Sequence, residues 1–127
     1  MIKIKIFKIF ILAEKREALI IPTICLSGKQ QMSLDLYFLD QTISNKNILF
    51  TLRFYLWIGN WISIGFHQKK LPYHWIDLKE KGIINIVRRP SGGGAVLHSG
   101  GITYAITFKK PEYKKFSYQF VNIWLIK

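Results

Sequence analysis

The sequence predicts an α+β domain in which helices flank a mixed, largely antiparallel sheet. Three observations support this class: candidate strands outnumber candidate helices, most strands follow one another in hairpin-like succession, and half of the 127 residues are apolar. A chain of this length suits one domain with a modest core and is too short for two.

The N-terminal region predicts two strands. Isoleucines alternate with lysines over residues 2–6, which is typical of a half-exposed edge strand. Residues 18–24 form a second strand, and Pro22 indicates an edge or a bend within it. The longest uncharged run before the charged residues that follow is 9–13, too short for a signal peptide or a membrane span. With one cysteine and no disulfide framework, we expect a reducing, cytoplasmic setting. Residues 1–17 are a basic and apolar N-terminal segment that we assign to no domain.

A capping-box spacing predicts the first helix. Ser27 precedes Gln30 by three residues, so that a helix begins after Ser27 and covers residues 28–43. Four apolar side chains share one face of this helix, which we expect to be the buried face: Met32, Leu36, Leu39 and Ile43.

The rest of the chain predicts shorter elements, mostly strands. In chain order they are strands at 48–57 and 61–66 around a Gly59–Asn60 turn, a helix near 75–81 that ends at Gly82, a buried strand at 83–87, strands at 95–98 and 102–108, and a helix from Ser117.

Charge and cysteine content limit the classes of function. The formal net charge is +12, which favours anionic partners such as nucleotides, nucleic acid or acidic protein surfaces. Only four of the nineteen basic residues are arginine, so the excess is equally typical of a lysine-rich genome. Cys25 is the only cysteine, which excludes a disulfide framework and a thiolate metal cluster, and we expect it to be a small buried hydrophobe.

The pattern of histidines and tryptophans predicts neither a metal site nor an aromatic surface for stacking. The spacing of His67, His74 and His98 does not fit metal ligation, and no cysteine or carboxylate cluster supports zinc. The four tryptophans are expected in the core: Trp57, Trp61, Trp75 and Trp124.

The segment from Arg88 to Gly94 predicts an anion-binding loop. A strand delivers the chain to two arginines, and Pro90 and Ser91 then lead into three glycines. Glycines permit positive φ and let successive backbone N–H groups converge on an oxygen anion, while arginine adds a forked charged donor. Neither a Walker A loop nor a Rossmann fingerprint is present.

Three stretches resemble the lipoate–protein ligase family of the biotin/lipoate ligase superfamily. They are "SGKQQMSLDLYFLD" with Met32 and Asp35, "LRFYLWIGNWISIGFHQ" ending at Gly65 and Gln68, and "RRPSGGGAVLHSGGITYAITFKKPEY". The resemblance extends from about residue 18 to the end of the chain. It implies the class II aminoacyl-tRNA synthetase-like fold of that superfamily, with residues 18–127 as the N-terminal half of the catalytic domain.

The resemblance also implies an activity. Such ligases use ATP with Mg²⁺ to convert lipoate or octanoate into an acyl-adenylate, with no bound cofactor. The acyl group then passes to a lysine of a lipoyl-carrier domain, either of a 2-oxoacid dehydrogenase or of the glycine cleavage H protein. In this family the catalytic lysine lies farther along the chain, so it would fall beyond Lys127, and we expect residues 1–127 alone to be inactive.

The resemblance further assigns site residues. The nucleotide phosphate would contact Arg89, the acyl-adenylate would lie along the glycine loop and the strand after it, and the acyl chain would lie against the turn after residue 62. His98 is expected to orient its neighbours. The binding residues implied are Arg89, Ser91, Gly92, Gly93, Gly94, Ala95, Val96, Leu97 and His98, and the acyl pocket is Ser63, Gly65 and Gln68.

Two alternatives remain open. An octanoyl or lipoyl transferase would use a carrier-bound acyl group and no ATP. Its cysteine nucleophile would also lie downstream of the glycine motif, and Cys25 does not correspond to that cysteine. A basic nucleic-acid-binding fragment is supported only by charge and scattered aromatic residues.

Overall fold

The predicted α+β class is confirmed. The computed structural model describes residues 6–11 and 15–109, apart from the side chain of Ile9. The described part contains the following elements: β1 Phe7–Ile11, β2 Arg16–Leu26, α1 Gly28–Ser44, β3 Ile48–Trp57, β4 Trp61–Ile64, α2 Tyr73–Glu80, β5 Asn85–Arg88, β6 Val96–His98 and β7 Thr103–Phe108.

The strands form two mixed sheets. The first has the order β1-β2-β3-β7, in which β2 and β3 are parallel and the two outer pairs are antiparallel. The second has the order β5-β4-β6, with β4 parallel to β5 and antiparallel to β6. Because parallel neighbours need a crossover connection, α1 links β2 to β3 and packs across the first sheet.

The predicted strands on either side of Gly59–Asn60 exist, but the hairpin between them is wrong. β3 already has a partner on each side, β2 along its whole length and β7 over Phe50–Tyr55, so no edge remains for β4. The turn instead carries the chain from the first sheet to the second, where β4 is the central strand. Gly59, with φ of 82°, provides the left-handed backbone that this turn requires.

An edge strand is present near the N-terminus, but its described part begins at Phe7. β1 pairs only with β2, and two large aromatic side chains, Phe7 and Phe10, are exposed on it. The predicted alternation over residues 2–6 lies almost entirely outside the described residues. β2 itself is an inner strand, so Pro22 marks a bend and not an edge.

The bend at Pro22 explains why the prediction of a buried Cys25 is wrong. Leu19 and Ile21 face the core, and strict alternation would place residue 25 on the same side. The pairing of β2 with β3 shifts between Ile21 and Ile24, so Ile24 packs against the core instead. Cys25 therefore points to the opposite face of the sheet and is exposed.

The capping box that starts α1 is confirmed, but the predicted buried face is wrong in part. Ser27 and Gln30 make both reciprocal bonds of the motif. Met32 is buried as expected and Leu39 is half-buried, whereas Leu36 and Ile43 are more than half exposed. The face that packs on the sheet carries Gly28, Gln31, Met32, Asp35, Phe38 and Thr42.

Half of the residues on this face of α1 are polar, and β3 presents matching polar side chains to them. The Arg53 guanidinium donates to Asp35 Oδ1 at 2.9 Å, to the Gln31 carbonyl at 3.0 Å and to Gln31 Oε1. Tyr55 donates its hydroxyl to Asp35 Oδ2 at 3.1 Å, and Arg53 also lies 4.1 Å from the centre of the Tyr55 ring. Each buried polar group thus has a partner, which is what makes its burial tolerable.

A second polar contact fastens the C-terminal end of α1. The hydroxyl oxygen of Thr42 lies 3.0 Å from Thr51 Oγ1 on β3 and 2.8 Å from Thr107 Oγ1 on β7. It also donates to the Phe38 carbonyl within the helix. Polar contacts therefore hold the helix to β3 along its length and to β7 at its C-terminal end.

The elements after β4 agree with the sequence in position but not always in burial. α2 begins two residues and ends one residue earlier than predicted, and Gly82, with φ of 70°, follows its C-cap as expected. The predicted buried strand at 83–87 is wrong in burial, since β5 is a partly exposed edge strand and only Ile84, just before it, is buried.

The tryptophans described by the structure occupy the core or its edge. Trp57 and Trp61 are buried together with Met32 and Tyr55 in one apolar cluster. Trp75 is half-buried against a second cluster at the three-stranded sheet. Trp124 and the predicted helix from Ser117 lie outside the described residues.

We predict that Asp35→Ala destabilises the fold strongly. The change would leave the Arg53 guanidinium buried without its counter-charge, which typically costs about 3–5 kcal/mol. Asp77→Ala is the matched control, because it breaks an exposed pair with Lys81 and should cost less than about 1 kcal/mol. Urea denaturation measures both, and equal losses in the two variants would contradict this role for Asp35.

Candidate functional site

One cavity of about 950 Å³ lies between α1, β7 and the glycine loop, defined here as residues 89–95. Its floor includes Met32 and Leu39 from α1 and Tyr55 and Trp57 from β3. One side follows the whole of β7 up to Phe108, and the glycine loop forms the other. The size is within the range of small-molecule sites in proteins, which is roughly 300–1,000 Å³.

Arg89 holds the glycine loop in its folded shape. Its Nη2 donates to the carbonyl oxygens of Gly92 at 2.7 Å and Gly94 at 2.6 Å. Its Nη1 donates to the Ser63 carbonyl at 2.9 Å and to Ser63 Oγ at 3.3 Å. One guanidinium therefore ties the loop to the end of β4. Both terminal nitrogens are engaged by this chain, whereas the resemblance assigns Arg89 to a nucleotide phosphate.

Arg88 fixes the neighbouring turn in a similar way. Its Nη1 donates to the carbonyl oxygens of Gly65 at 2.8 Å, Phe66 at 3.1 Å and Gln68 at 2.8 Å. Gly65 lies so close to the loop that a Cβ there would overlap the Gly93 carbonyl oxygen. Residue 65 must therefore be glycine for the turn and the loop to pack together.

The bonds from Arg89 also orient the loop amides. In a trans peptide unit the C=O and N–H groups point in opposite directions, and the described chain has no cis peptide bond. Because the Gly92 and Gly94 carbonyls point toward Arg89, the N–H groups of Gly93 and Ala95 point away from it. Gly93 has a φ of 91°, a backbone conformation that glycine adopts at little energetic cost. Neither of these two N–H groups has a backbone acceptor within residues 6–11 and 15–109.

A chain of hydrogen bonds crosses the cavity wall at His98. The imidazole Nε2 lies 2.8 Å from Ser63 Oγ and Nδ1 lies 3.2 Å from Thr103 Oγ1. Trp57 donates its indole N–H to the same Thr103 oxygen at 2.8 Å and stacks on the imidazole at 4.0 Å between ring centres. Burial, and then the charge of Arg89, lower the pKa of His98 below its ordinary value. The expected orienting role thus has a geometric basis, since His98 links β4, β6 and β7.

Burial also shifts the pKa values of the ionisable groups at and beneath the floor of the cavity. Desolvation raises the pKa of Asp35, and the nearby Arg53 charge and the Tyr55 hydroxyl offset part of that effect. Desolvation and the neighbouring Asp35 charge raise the pKa of Tyr55, so its hydroxyl stays a donor. Desolvation lowers the pKa of Arg53.

Most of the residues assigned by resemblance meet at this cavity. The lining residues among them are Ser63, Arg89, Ser91, Gly92, Gly93, Gly94, Ala95, Val96 and His98. Leu97 is not among the lining residues and is largely exposed on the other side of β6. Gly65 and Gln68 also do not line the cavity, although the turn that contains them supports the loop. The roles assigned to all of these residues stay predictions.

Much of the apolar lining of the cavity has no distinguishing signal in the sequence. Helical periodicity predicts Met32 and Leu39 on the buried face of α1, but it does not indicate a cavity beside them. Along β7 the wall includes Ala105, Ile106 and Phe108, which the sequence placed only in a strand. No group of three or more potential metal-ligating side chains occurs within residues 6–11 and 15–109, and no helix there is long and apolar enough to cross a membrane.

Comparison with known proteins identifies the family. The model of the lipoyl protein ligase A/B catalytic domain matches residues 27–127. The chain belongs to this family. The match contains the glycine loop, α1 and every strand from β3 onward, so the resemblance to lipoate–protein ligases is confirmed at the level of the family.

Individual relatives are named as transferases. The chain is 39% identical over 80 residues to an octanoyltransferase LipM of Carboxydothermus hydrogenoformans, which covers 63% of this chain and 29% of that protein. It is 41% identical over 56 residues to the same enzyme of Halalkalibacterium halodurans, covering 44% of this chain and 20% of that protein. It is 43% identical over 63 residues to the octanoyltransferase LipM of Moorella thermoacetica, covering 47% of this chain and 22% of that protein.

These names favour the transferase alternative over the ATP-dependent ligase. The aligned regions span less than a third of each relative's length. Nothing in the comparisons supports the nucleic-acid-binding alternative.

We predict that His98 makes stability depend on pH. Because its pKa is lower in the folded chain than the ordinary value near 6.5, the unfolded chain binds this proton more readily. The contribution of the neutral imidazole is therefore fully present above about pH 6.5, and falls as the pH drops through the folded-state pKa. NMR titration of the His98 ring in the folded and urea-unfolded chain measures both midpoints. A folded-state midpoint at or above the unfolded one would contradict the prediction.

Proposed function

We propose that this chain forms the acyl-binding part of an octanoyltransferase, with the octanoyl group bound in the cavity along β7. The observation that carries the proposal is the composition of that cavity. At one end it has the amides of the glycine loop, which suit a carbonyl oxygen. Away from the loop it has apolar side chains, which suit a hydrocarbon chain: Met32, Leu39, Ile106 and Phe108.

The orientation of the ligand follows from this division. The thioester or amide carbonyl lies at the glycine loop beside Ser63 and His98, and the hydrocarbon tail lies between α1 and β7. The donor is an octanoyl thioester on a carrier, and the acceptor is a lysine of a lipoyl-carrier domain of a 2-oxoacid dehydrogenase or of the glycine cleavage H protein. Transferase names among the relatives support this reaction class.

The transferase reading also fits the use that the chain makes of Arg89. An ATP-dependent ligase would need this guanidinium for a phosphate, as the resemblance implies. In the structure its terminal nitrogens already bind four acceptors within the chain, and releasing them would free the loop. ATP with Mg²⁺ as a co-substrate stays a prediction, and the assay below includes it as a separate arm.

We predict that the chain binds an octanoyl thioester analogue at least roughly ten-fold more tightly than the acetyl analogue. Each additional buried methylene contributes up to about 0.8 kcal/mol, and ten-fold corresponds to about 1.4 kcal/mol. Isothermal titration with S-(2-oxononyl) and S-(2-oxopropyl) pantetheine, ketones that cannot transfer their acyl group, measures the difference.

Two glycine variants localise the binding. Gly65→Ala should weaken octanoyl binding by at least roughly ten-fold, because its Cβ displaces the Gly93 carbonyl and opens the loop. Gly101→Ala is the control, since a Cβ there meets nothing within 4 Å. Equal binding of the two ketones would contradict the proposal. Binding of octanoate that appears only with ATP and Mg²⁺ would support the ligase instead.

A further inference from the structure

The hydrogen bonds at Ser63 have the arrangement of an activated nucleophile. Ser63 Oγ lies 2.8 Å from His98 Nε2, within the range required between a nucleophile and its base. The other ring nitrogen faces Thr103, so a third group orients the base. All three residues line the cavity, and none of these contacts was predicted from the sequence.

The neighbouring donors determine which way the protons point. Arg89 Nη1 donates to Ser63 Oγ, which leaves the serine proton to be donated to His98 Nε2. The positive charge of Arg89 disfavours a proton on Nε2, the ring nitrogen bonded to Ser63. The imidazole proton therefore resides on Nδ1 and is donated to Thr103 Oγ1, whose second lone pair accepts from Trp57. With its proton on Nδ1, the neutral imidazole can accept the serine proton at Nε2.

The cavity also supplies donors for a developing negative charge. Arg89 contacts both Ser63 and the glycine loop, so the loop lies within the span of one guanidinium from the serine oxygen. Among residues 6–11 and 15–109 the N–H groups of Gly93 and Ala95 in this loop have no backbone acceptor. Preorganised amides of this kind stabilise the oxyanion of acyl transfer.

We propose that Ser63 is an acyl acceptor, with His98 as its base and Thr103 as a positioning residue. The proposal rests on the proposed occupation of the cavity by an octanoyl group, and adds an oxygen nucleophile within the described residues. It gives the chain an activity of its own, the slow cleavage of activated octanoyl esters and thioesters through an O-octanoyl-Ser63 intermediate.

Ser63 Oγ bonds to the carbonyl carbon of the octanoyl group, and its proton passes to His98 Nε2. The carbonyl oxygen becomes an oxyanion that the loop amides stabilise. The bond from carbon to the leaving sulfur or oxygen then breaks, and the leaving group takes the proton from His98. Water attacks the serine ester with the same assistance, which yields octanoic acid and restores the Ser63 hydroxyl.

Burial of Ser63 predicts unequal rates for the two steps. Ser63 lines the cavity but is only 2% exposed, and an octanoyl chain bound in the cavity would exclude water from it further. Acylation by a bound ester should therefore outpace hydrolysis. We expect a burst of about one leaving group per chain, followed by much slower turnover.

The test uses the 127-residue chain and p-nitrophenyl octanoate. Stopped-flow release of p-nitrophenolate should show the burst, and tandem mass spectrometry of the quenched chain should locate one octanoyl group on Ser63. Ser63→Ala should abolish the burst, while Ser33→Ala should retain it, because Ser33 is an exposed serine of α1 outside the cavity. Location of the octanoyl group in the unaltered chain decides the question even if Ser63→Ala folds poorly.

Thr103 needs a readout beyond loss of rate, since its hydroxyl acts only through His98. Thr103→Val should shift the pH profile of the burst and lower its rate, and Thr103→Ser should restore both. An unchanged pH profile in Thr103→Val would remove the positioning role.

The outcomes separate this proposal from the proposed function. An octanoyl group on Ser63 supports it. Tight binding of the octanoyl ketone with no adduct, or with an adduct on exposed Cys25 or a surface lysine, overturns it and leaves the binding function intact. Absence of both ketone binding and adduct overturns both.

Discussion

The buried guanidinium of Arg53 is the interaction on which the arrangement of α1 and β3 depends. It lies at the centre of the interface between the two elements, 2% exposed, and binds the side chain of Asp35 and both the side chain and the backbone of Gln31. A charge so deeply buried is costly unless every partner is in place. The partners therefore specify one position of the helix on the sheet, and that position brings Met32 and Leu39 to the cavity.

A second arginine, Arg89, stabilises the glycine loop much as Arg53 stabilises the position of α1. Arg89 binds the loop carbonyls and the end of β4, so contacts within the chain define the shape of the glycine loop. A site formed before binding does not pay the entropy of ordering its loop when the ligand arrives. Arg89 also contacts Ser63 Oγ, which lies 2.8 Å from His98 Nε2.

Local patterns in the sequence predicted the local structure well, and long-range pairing poorly. The capping box at Ser27, the glycine after α2 and most strand positions depend on nearby residues, and they were correct. The partners of β3 and β4 depend on which strand occupies each edge, and no hairpin signal reveals that β7, nearly fifty residues later, pairs with β3. The face of α1 was misjudged because burial of Gln31, Asp35 and Thr42 is possible only with hydrogen-bond partners on other elements.

The candidate site shows the same division. The glycine loop and its arginines were recognisable because the motif is contiguous and belongs to a family. The bond between Ser63 and His98 joins residues 35 positions apart, and the use of Arg89 as an internal fastener follows only from the fold. Cys25 is a further example. The irregular strand pairing around Pro22 places it on the face of the sheet opposite to the one that regular alternation predicts.

The central claim, that the octanoyl tail lies between α1 and β7, is tested most directly by intermolecular NOEs. The ligand would be S-(2-oxononyl) pantetheine, with its terminal methyl group labelled with ¹³C. We expect contacts from that methyl group to the Met32 methyl group and the Phe108 ring, with none to Leu97 or Ile102 on the exposed side of β6 and its following loop. Contacts to Leu97 and Ile102 in place of Met32 and Phe108 would contradict the account.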